Sequence, residues 1–237
     1  MTTCLGCVQR TMLLGAWLSI PVHAADNFNL APPPVTLLAA PGEAAQQLNL
    51  SRAQIHLPGD LARAIGVDFV GRKSQADGQY GFYITMSAYG LGSHGGSIGG
   101  GGVGAVFGPE MYLGQSRHSL ISAGLGIDLA NLQVDSGTGG STQQSGQSVH
   151  LALTAQTRWQ VTDSAELVPF LMVGRTSQTR GSSSGTATGN VGTTVDSNIY
   201  HWGKAGFDLT NGHFSIGFLM SVRQENLLRQ IRFGFPL

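Results

Sequence analysis

His213-Phe214-Ser215 sets a general base two residues from a hydroxyl nucleophile. An imidazole within reach of a serine can take the hydroxyl proton as the oxygen attacks, which is the minimum for acyl transfer. The sequence offers little else that could do chemistry. The seven histidines show no His-x-x-His or comparable ligand spacing, so no metal site is expected. The run from Gly95 to Gly104 formally contains G-x-G-x-x-G. No hydrophobic strand precedes it, no helix follows and no lysine is near, so it does not read as a phosphate cradle. It also lacks the aspartates of calcium-binding glycine repeats. Cys4 and Cys7 precede the apolar run 12–20, and no cysteine follows it. Thiol catalysis, thiolate metal sites and disulfides are therefore not expected beyond residue 24, and no cofactor is expected at all.

The composition points to a surface that is not an ordinary soluble one. Charged residues make up 11% of the chain, the formal net charge is zero and glycines number 35. A neutral chain gives no basic footprint for nucleic acid. So little charge is a poor match to a water-facing exterior. No stretch after residue 24 approaches 18 consecutive apolar residues, so helical membrane spans are not expected either. Residues 1–24 read as a secretory signal peptide. Arg10 precedes the apolar run, and Val22-His23-Ala24 places small residues at the cleavage position.

From Gln79 onward the pattern has period two. In 119–133, Ile121, Ala123, Leu125, Ile127 and Leu129 alternate with Ser122, Gly124, Gly126, Asp128 and Ala130. Segments 148–161 and 213–223 repeat the alternation, and 79–91, 102–114, 166–177, 195–209 and 228–237 complete eight strands. Each is long enough for a tilted membrane strand of roughly 9–11 residues. In 166–177 both faces are apolar, so its parity is open. Short connections at 115–118, 162–165 and 210–212 alternate with polar loops at 92–101, 134–147 and 178–194, which implies short periplasmic turns and long surface loops.

Residues 228–237 alternate Ile231, Phe233, Phe235 and Leu237 with polar or small residues. This resembles the terminal strand by which outer-membrane barrels are recognised by the barrel-assembly machinery. Together, residues 79–237 resemble the small eight-stranded OmpA/OmpX and opacity-protein type of outer-membrane β-barrel. The resemblance implies an all-β, eight-stranded antiparallel transmembrane barrel in the outer membrane of a Gram-negative bacterium, reached by Sec-type export. It is surrounded by outer-membrane lipid and lipopolysaccharide. Outer-membrane lipid A deacylases carry a His-x-Ser pair on the penultimate strand and a Glu on the last; His213, Ser215 and Glu225 are the positions this resemblance would assign. By parity, however, His213 and Ser215 point into the lumen and His213 adjoins a periplasmic turn.

On this barrel the inward positions carry Glu110, Asp128, Arg158, Lys204, Asp208 and Arg232. The lumen of a narrow barrel is filled by side chains, and charges there must pair. Trp159, Phe207, Phe214 and Phe235 fall on the outward parity at one end, where aromatic rings favour the membrane interface. Residues 25–78 differ in character. Pro32-Pro33-Pro34 suits an extended segment, and Asp60 could cap a short helix over 61–65 that stops at Gly66. They read as a periplasmic extension that plugs or braces the barrel, with binding of a periplasmic partner as the functional alternative. The function expected is a non-enzymatic envelope protein with a structural or surface-interaction role. A lipid-modifying enzyme and a narrow channel are the alternatives.

Overall fold

The computed structural model describes residues 41–57, 60–93, 98–114, 116–135, 141–185, 191–223 and 226–237. Eleven strands follow in chain order: β1 (Ala44–Leu57), β2 (Asp60–Ser74), β3 (Tyr80–Ser93), β4 (Ile98–Leu113), β5 (Ser119–Asp135) and β6 (Ser141–Thr157). Then come β7 (Trp159–Thr162), β8 (Ala165–Gly185), β9 (Val191–Thr210), β10 (Ser215–Arg223) and β11 (Asn226–Pro236). Every neighbouring pair is antiparallel. β1 pairs with β11 and β6 with β8, so the sheet closes on itself and has no free long edge through the barrel wall. β6 and β7 form one stave. Gln156 faces Phe170 and Trp159 faces Leu167 in a single register, and the ladder lapses where Thr157 would face Pro169, which has no N–H to donate. The barrel therefore has ten staves.

All eight expected segments lie in strands, but the ring needs two more, and they come from the stretch read as an extension. Residues 44–74 are β1 and β2, not a periplasmic tail, and Asp60 begins a strand instead of capping a helix over 61–65. In β2 the outward Ile65, Val67 and Phe69 alternate with Ala62, Ala64, Gly66 and Asp68. That is a strand pattern, and pairing along both neighbours fixes it. In β1 only Leu48 and Leu50 are apolar and outward, while Gln47, Asn49 and Ser51 are buried inside, so alternation there is faint in the sequence. Residues 1–24 and Pro32–Pro34 lie outside the described residues.

The turns at 75–79, 114–118, 163–164 and 211–214 share one end of the barrel with the start of β1 and the end of β11; this end is called lower. Two of these turns are held by acidic or amide side chains. Asp77 Oδ1 accepts from Gln79 N at 2.9 Å, and Asn211 Oδ1 accepts from His213 N at 3.1 Å and Phe214 N at 2.9 Å. Gly212, at φ +84°, takes the left-handed position that this Asn-Gly turn requires. At the upper end the expected long loops are largely strand. β4 begins at Ile98, β5 and β6 pair up to Asp135 and Ser141, and β8 and β9 pair up to Gly185 and Val191. Polar Ser, Thr and Gln can extend a hairpin when backbone pairing continues, which composition alone does not reveal.

The ten-stave ring makes a specific claim about residues 41–57. Deleting them leaves β2 and β11 without a common neighbour and should abolish the form that migrates differently on a gel before and after boiling. An eight-stranded barrel with an N-terminal extension would keep that form.

Candidate functional site

The inward faces of the staves converge on a buried polar network. Arg72 on β2 pairs with Glu110 on β4, Nε to Oε1 at 2.9 Å, and donates from Nη2 to Gln156 Oε1 at 3.3 Å. Tyr112 donates to the other Glu110 oxygen at 3.4 Å. On the opposite wall Arg232 Nη2 donates to both oxygens of Asp208 at 2.9 Å, and its guanidinium lies 5.4 Å from the Phe170 ring centroid. A third group joins Asp128, His150, Thr176 and Trp202. His150 Nε2 lies 2.6 Å from Asp128 Oδ2, its Nδ1 lies 2.7 Å from Thr176 Oγ1, and Trp202 Nε1 donates to the same hydroxyl at 2.8 Å. Lys204 Nζ sits 5.0 Å over the Trp202 ring.

The third group has the order carboxylate, imidazole, hydroxyl that nucleophilic catalysis uses. With Trp202 donating to its oxygen, Thr176 can donate a hydrogen bond to His150 Nδ1, and His150 Nε2 can donate one to Asp128. Burial decides its role. Thr176 is 0% and His150 1% exposed, so no substrate carbonyl can reach the oxygen. The arrangement is a satisfied buried hydrogen-bond chain, which ties β5, β6, β8 and β9 together.

Of the charges expected inside, Glu110, Asp128, Lys204, Asp208 and Arg232 are buried in the lumen. Arg158 is not; it sits half-buried at the lower rim and pairs with Glu166 beside the β7–β8 turn. Asp68, Arg72, His150 and Arg180 are buried too. Asp68 and Arg72 lie in the stretch expected to be an extension, and Arg180 lies in one expected to be a loop. His150 stood in the correct parity with no carboxylate beside it in sequence; Asp128 reaches it only across the β5–β6 ladder.

Room for these groups comes from glycine. Gly104 faces Asp128, Gly217 faces Asp208, Gly174 faces Trp202 and Gly206 faces Phe170 across neighbouring strands. A methyl group on any of the four would overlap the side chain opposite. Above the charged zone Ile55, Leu91, Ile98, Leu132 and Leu228 are buried together and fill the upper lumen.

The His-x-Ser pair is not assembled. Ser215 points inward and lies 3.2 Å from Gln47 Nε2, whereas His213 is exposed on the turn instead of facing the lumen. Glu225 lies outside the described residues. Trp159, Phe207 and Phe235 are exposed on the outer face near the lower end, and Phe214, half-buried, packs against Phe235 and Phe233 at 5.4 and 6.2 Å between ring centroids. Among the described residues no group of three His, Cys, Asp or Glu could hold a metal ion.

Because Asp208 and Arg232 are each 2% or less exposed, removing one leaves the charge of the other poorly compensated in the lumen. Arg232→Met should cost about 3–5 kcal/mol, read as a shift in urea unfolding of the refolded barrel. Asp208→Leu added to Arg232→Met should recover much of the loss, because the uncompensated charge is then gone.

No protein-family model matches the chain, and no curated protein matches it. Solved structures do share its fold. The translocator domain of the autotransporter NalP from Neisseria meningitidis superposes with a TM-score of 0.56 at 9% identity, over 97% of this chain and 96% of that one. The β domain of the Bordetella autotransporter BrkA gives 0.52 at 11% identity, over 81% of this chain and 98% of that one. The fold is thus that of an antiparallel, closed outer-membrane β-barrel.

Proposed function

We propose that this chain is a non-enzymatic integral protein of a Gram-negative outer membrane. It crosses the bilayer as ten tilted staves, with the short turns in the periplasm and the β5–β6 and β8–β9 hairpins outside the cell. The observation that carries this reading is an outer face that is apolar over one band and polar above it. On β5 the outward residues are Ile121, Ala123, Leu125, Ile127 and Leu129, followed by Asn131, Gln133 and Asp135. On β6 they are Leu153, Leu151 and Val149, followed by Gln147, Ser145 and Gln143. On β8 Leu171 and Val173 give way to Arg175, Ser177 and Thr179. Apolar side chains exposed all around a ring, with charges inside, invert a soluble protein and suit a lipid solvent. The aromatic residues at the lower end fit the inner interface.

A structural or surface-contact role follows from the two ends of the lumen. Ion pairs occupy the lower lumen and an apolar cluster the upper, which favours a structural role over a channel, although one barrel of the same fold is named a translocator domain. What rises above the band is a wall of paired polar strands. Beyond Gly203, β9 has no partner on its β10 side among the described residues, so its upper edge can accept an added strand from a partner. Export by the signal-like residues 1–24 and assembly through β11, whose Ile231, Phe233 and Phe235 face outward, complete the reading.

Two measurements test it. A cysteine replacing exposed Ser145 should react with a membrane-impermeant thiol reagent on intact cells, and one replacing Asp163 should not; the reverse inverts the orientation. An arginine at outward Leu125, within the apolar band, should cost roughly 2–4 kcal/mol of folding stability in vesicles. No cost there would remove the membrane assignment.

A further inference from the structure

Three arginines stand on the outer face where β11, β1 and β2 leave the apolar band. Arg229 and Arg63 lie directly opposite Gln54, one on each side, and Arg52 lies two residues below Gln54 on the same face. All three are exposed. Diagonal neighbours across an antiparallel pair are roughly 7–8 Å apart, so Arg52 forms the lower corner of a compact triangle with the other two. None of the three makes an ion pair among the described residues, and the outward positions of β10, β11, β1, β2 and β3 carry no Asp or Glu. Three like charges this close repel one another, and the occupant that relieves the repulsion is an anion with more than one charge.

Beside the triangle, level with Arg52 and one row below Arg63, the surface is apolar and hollow. Ile65, Gly90 and Gly101 face one another across β2, β3 and β4. Gly90 and Gly101 stand at outward positions, with Gly92 and Gly99 in the row above and Ala88 and Val103 in the row below, and they open a groove of about 700 Å³ walled by Leu50, Val67 and Val103. The β1–β2 hairpin ends only a few residues above Arg63, whereas β5–β9 rise far above the band. A bulky polar headgroup therefore has clearance on this side of the barrel and not on the other.

We infer that Arg52, Arg63 and Arg229 form a binding site for a phosphorylated, acylated glycolipid of the lipid A class. The guanidinium forks hold its phosphates, and one acyl chain lies in the groove over Gly90 and Gly101. Guanidinium matches phosphate oxygens two at a time, which gives geometry as well as charge. The inference rests on the proposed orientation, which sets the upper end of the band against the outer leaflet.

The test uses the full-length barrel refolded in detergent and first shown to change its gel migration on boiling. Native mass spectrometry then follows titration with bisphosphorylated lipid A, with dephosphorylated lipid A and with phosphatidylglycerol. Bisphosphorylated lipid A should bind far more tightly than either of the others. The R52Q/R63Q/R229Q variant should lose about a hundredfold in affinity while keeping the boiling shift, and Arg229→Gln alone should lose about fivefold. Equal binding of phosphatidylglycerol, or a loss in the triple variant below about tenfold, overturns the site. A boil-resistant barrel, labelled at position 145 on cells, that ignores lipid A overturns the site and leaves the membrane reading standing. A chain that never forms such a barrel removes both.

Discussion

The closed lumen is the constraint on which the rest of this protein depends. Ten staves enclose a space too narrow to leave large side chains unopposed, so each bulky or charged group needs a vacancy across the ladder. Glycine supplies it: Gly104 beneath Asp128, Gly217 beneath Asp208, Gly174 beneath Trp202 and Gly206 beneath Phe170. At these four positions glycine is a packing requirement of the interior, and at Gly212 it is a requirement for backbone freedom. Once the carboxylates have been seated this way, the cations follow. Arg232 is held by Asp208 and by the face of Phe170, and Arg72 is held by Glu110 and Gln156. Each ion pair joins strands two staves apart, and the Arg72–Gln156 hydrogen bond reaches across the lumen from β2 to β6.

Pairing inside a low-dielectric lumen also explains why these groups are structural. A buried ion pair adds little net stability over apolar packing but makes the loss of one partner costly. That penalty discriminates against registers in which the partners miss. A one-residue slip of β10 against β9 would bring Leu209 or Phe207 opposite Gly217 in place of Asp208 and turn apolar side chains inward. The Asp128–His150–Thr176 chain serves the same end on the β5–β8 wall. Its resemblance to a catalytic relay stops at geometry, because nothing can approach Thr176.

How much of this was legible in the sequence depended on which face carried the signal. From β3 onward the outward face is apolar enough to set the parity, and the inward charges then follow by counting: Glu110, Asp128, Lys204, Asp208 and Arg232 all fall inside. In β8 both faces are apolar because Val168, Phe170 and Met172 are themselves luminal packing, and only the ladder resolves which side is which. β1 carries too few outward apolar residues to register as a membrane strand, and the nearby Pro32–Pro34 run suits an extended tail. Without β1 and β2 the alternation counts eight strands, and Asp68 and Arg72 have no luminal place. The upper hairpins failed for a different reason. Serine, threonine, glutamine and glycine are loop-like in composition, and their pairing is enforced by the strands below them.

The outer surface divides the barrel into two unlike sides. From β5 to β9 the strands continue well past the apolar band, and their polar residues pair with one another, as in the 2.6 Å contact between Ser182 and Thr194. From β10 through β1 and β2 the rim is low, and the band ends abruptly in arginine. A barrel that needed only to remain in a bilayer would have no use for such asymmetry, since apolar girth and a paired lumen suffice for that. The tall side presents to water a β9 edge that has no strand partner beyond Gly203 among the described residues, which suits contact with other macromolecules. On the proposed orientation the low side would bring its arginines level with lipid headgroups, beside a glycine-floored groove, which suits contact with the bilayer itself. The two sides use opposite physics, hydrogen bonding at a strand edge and charge beside an apolar hollow, and each would fail if moved to the other. An arginine triangle beneath the tall wall would be screened from any large headgroup, and a free edge at the level of the band would leave backbone amides unsatisfied in lipid.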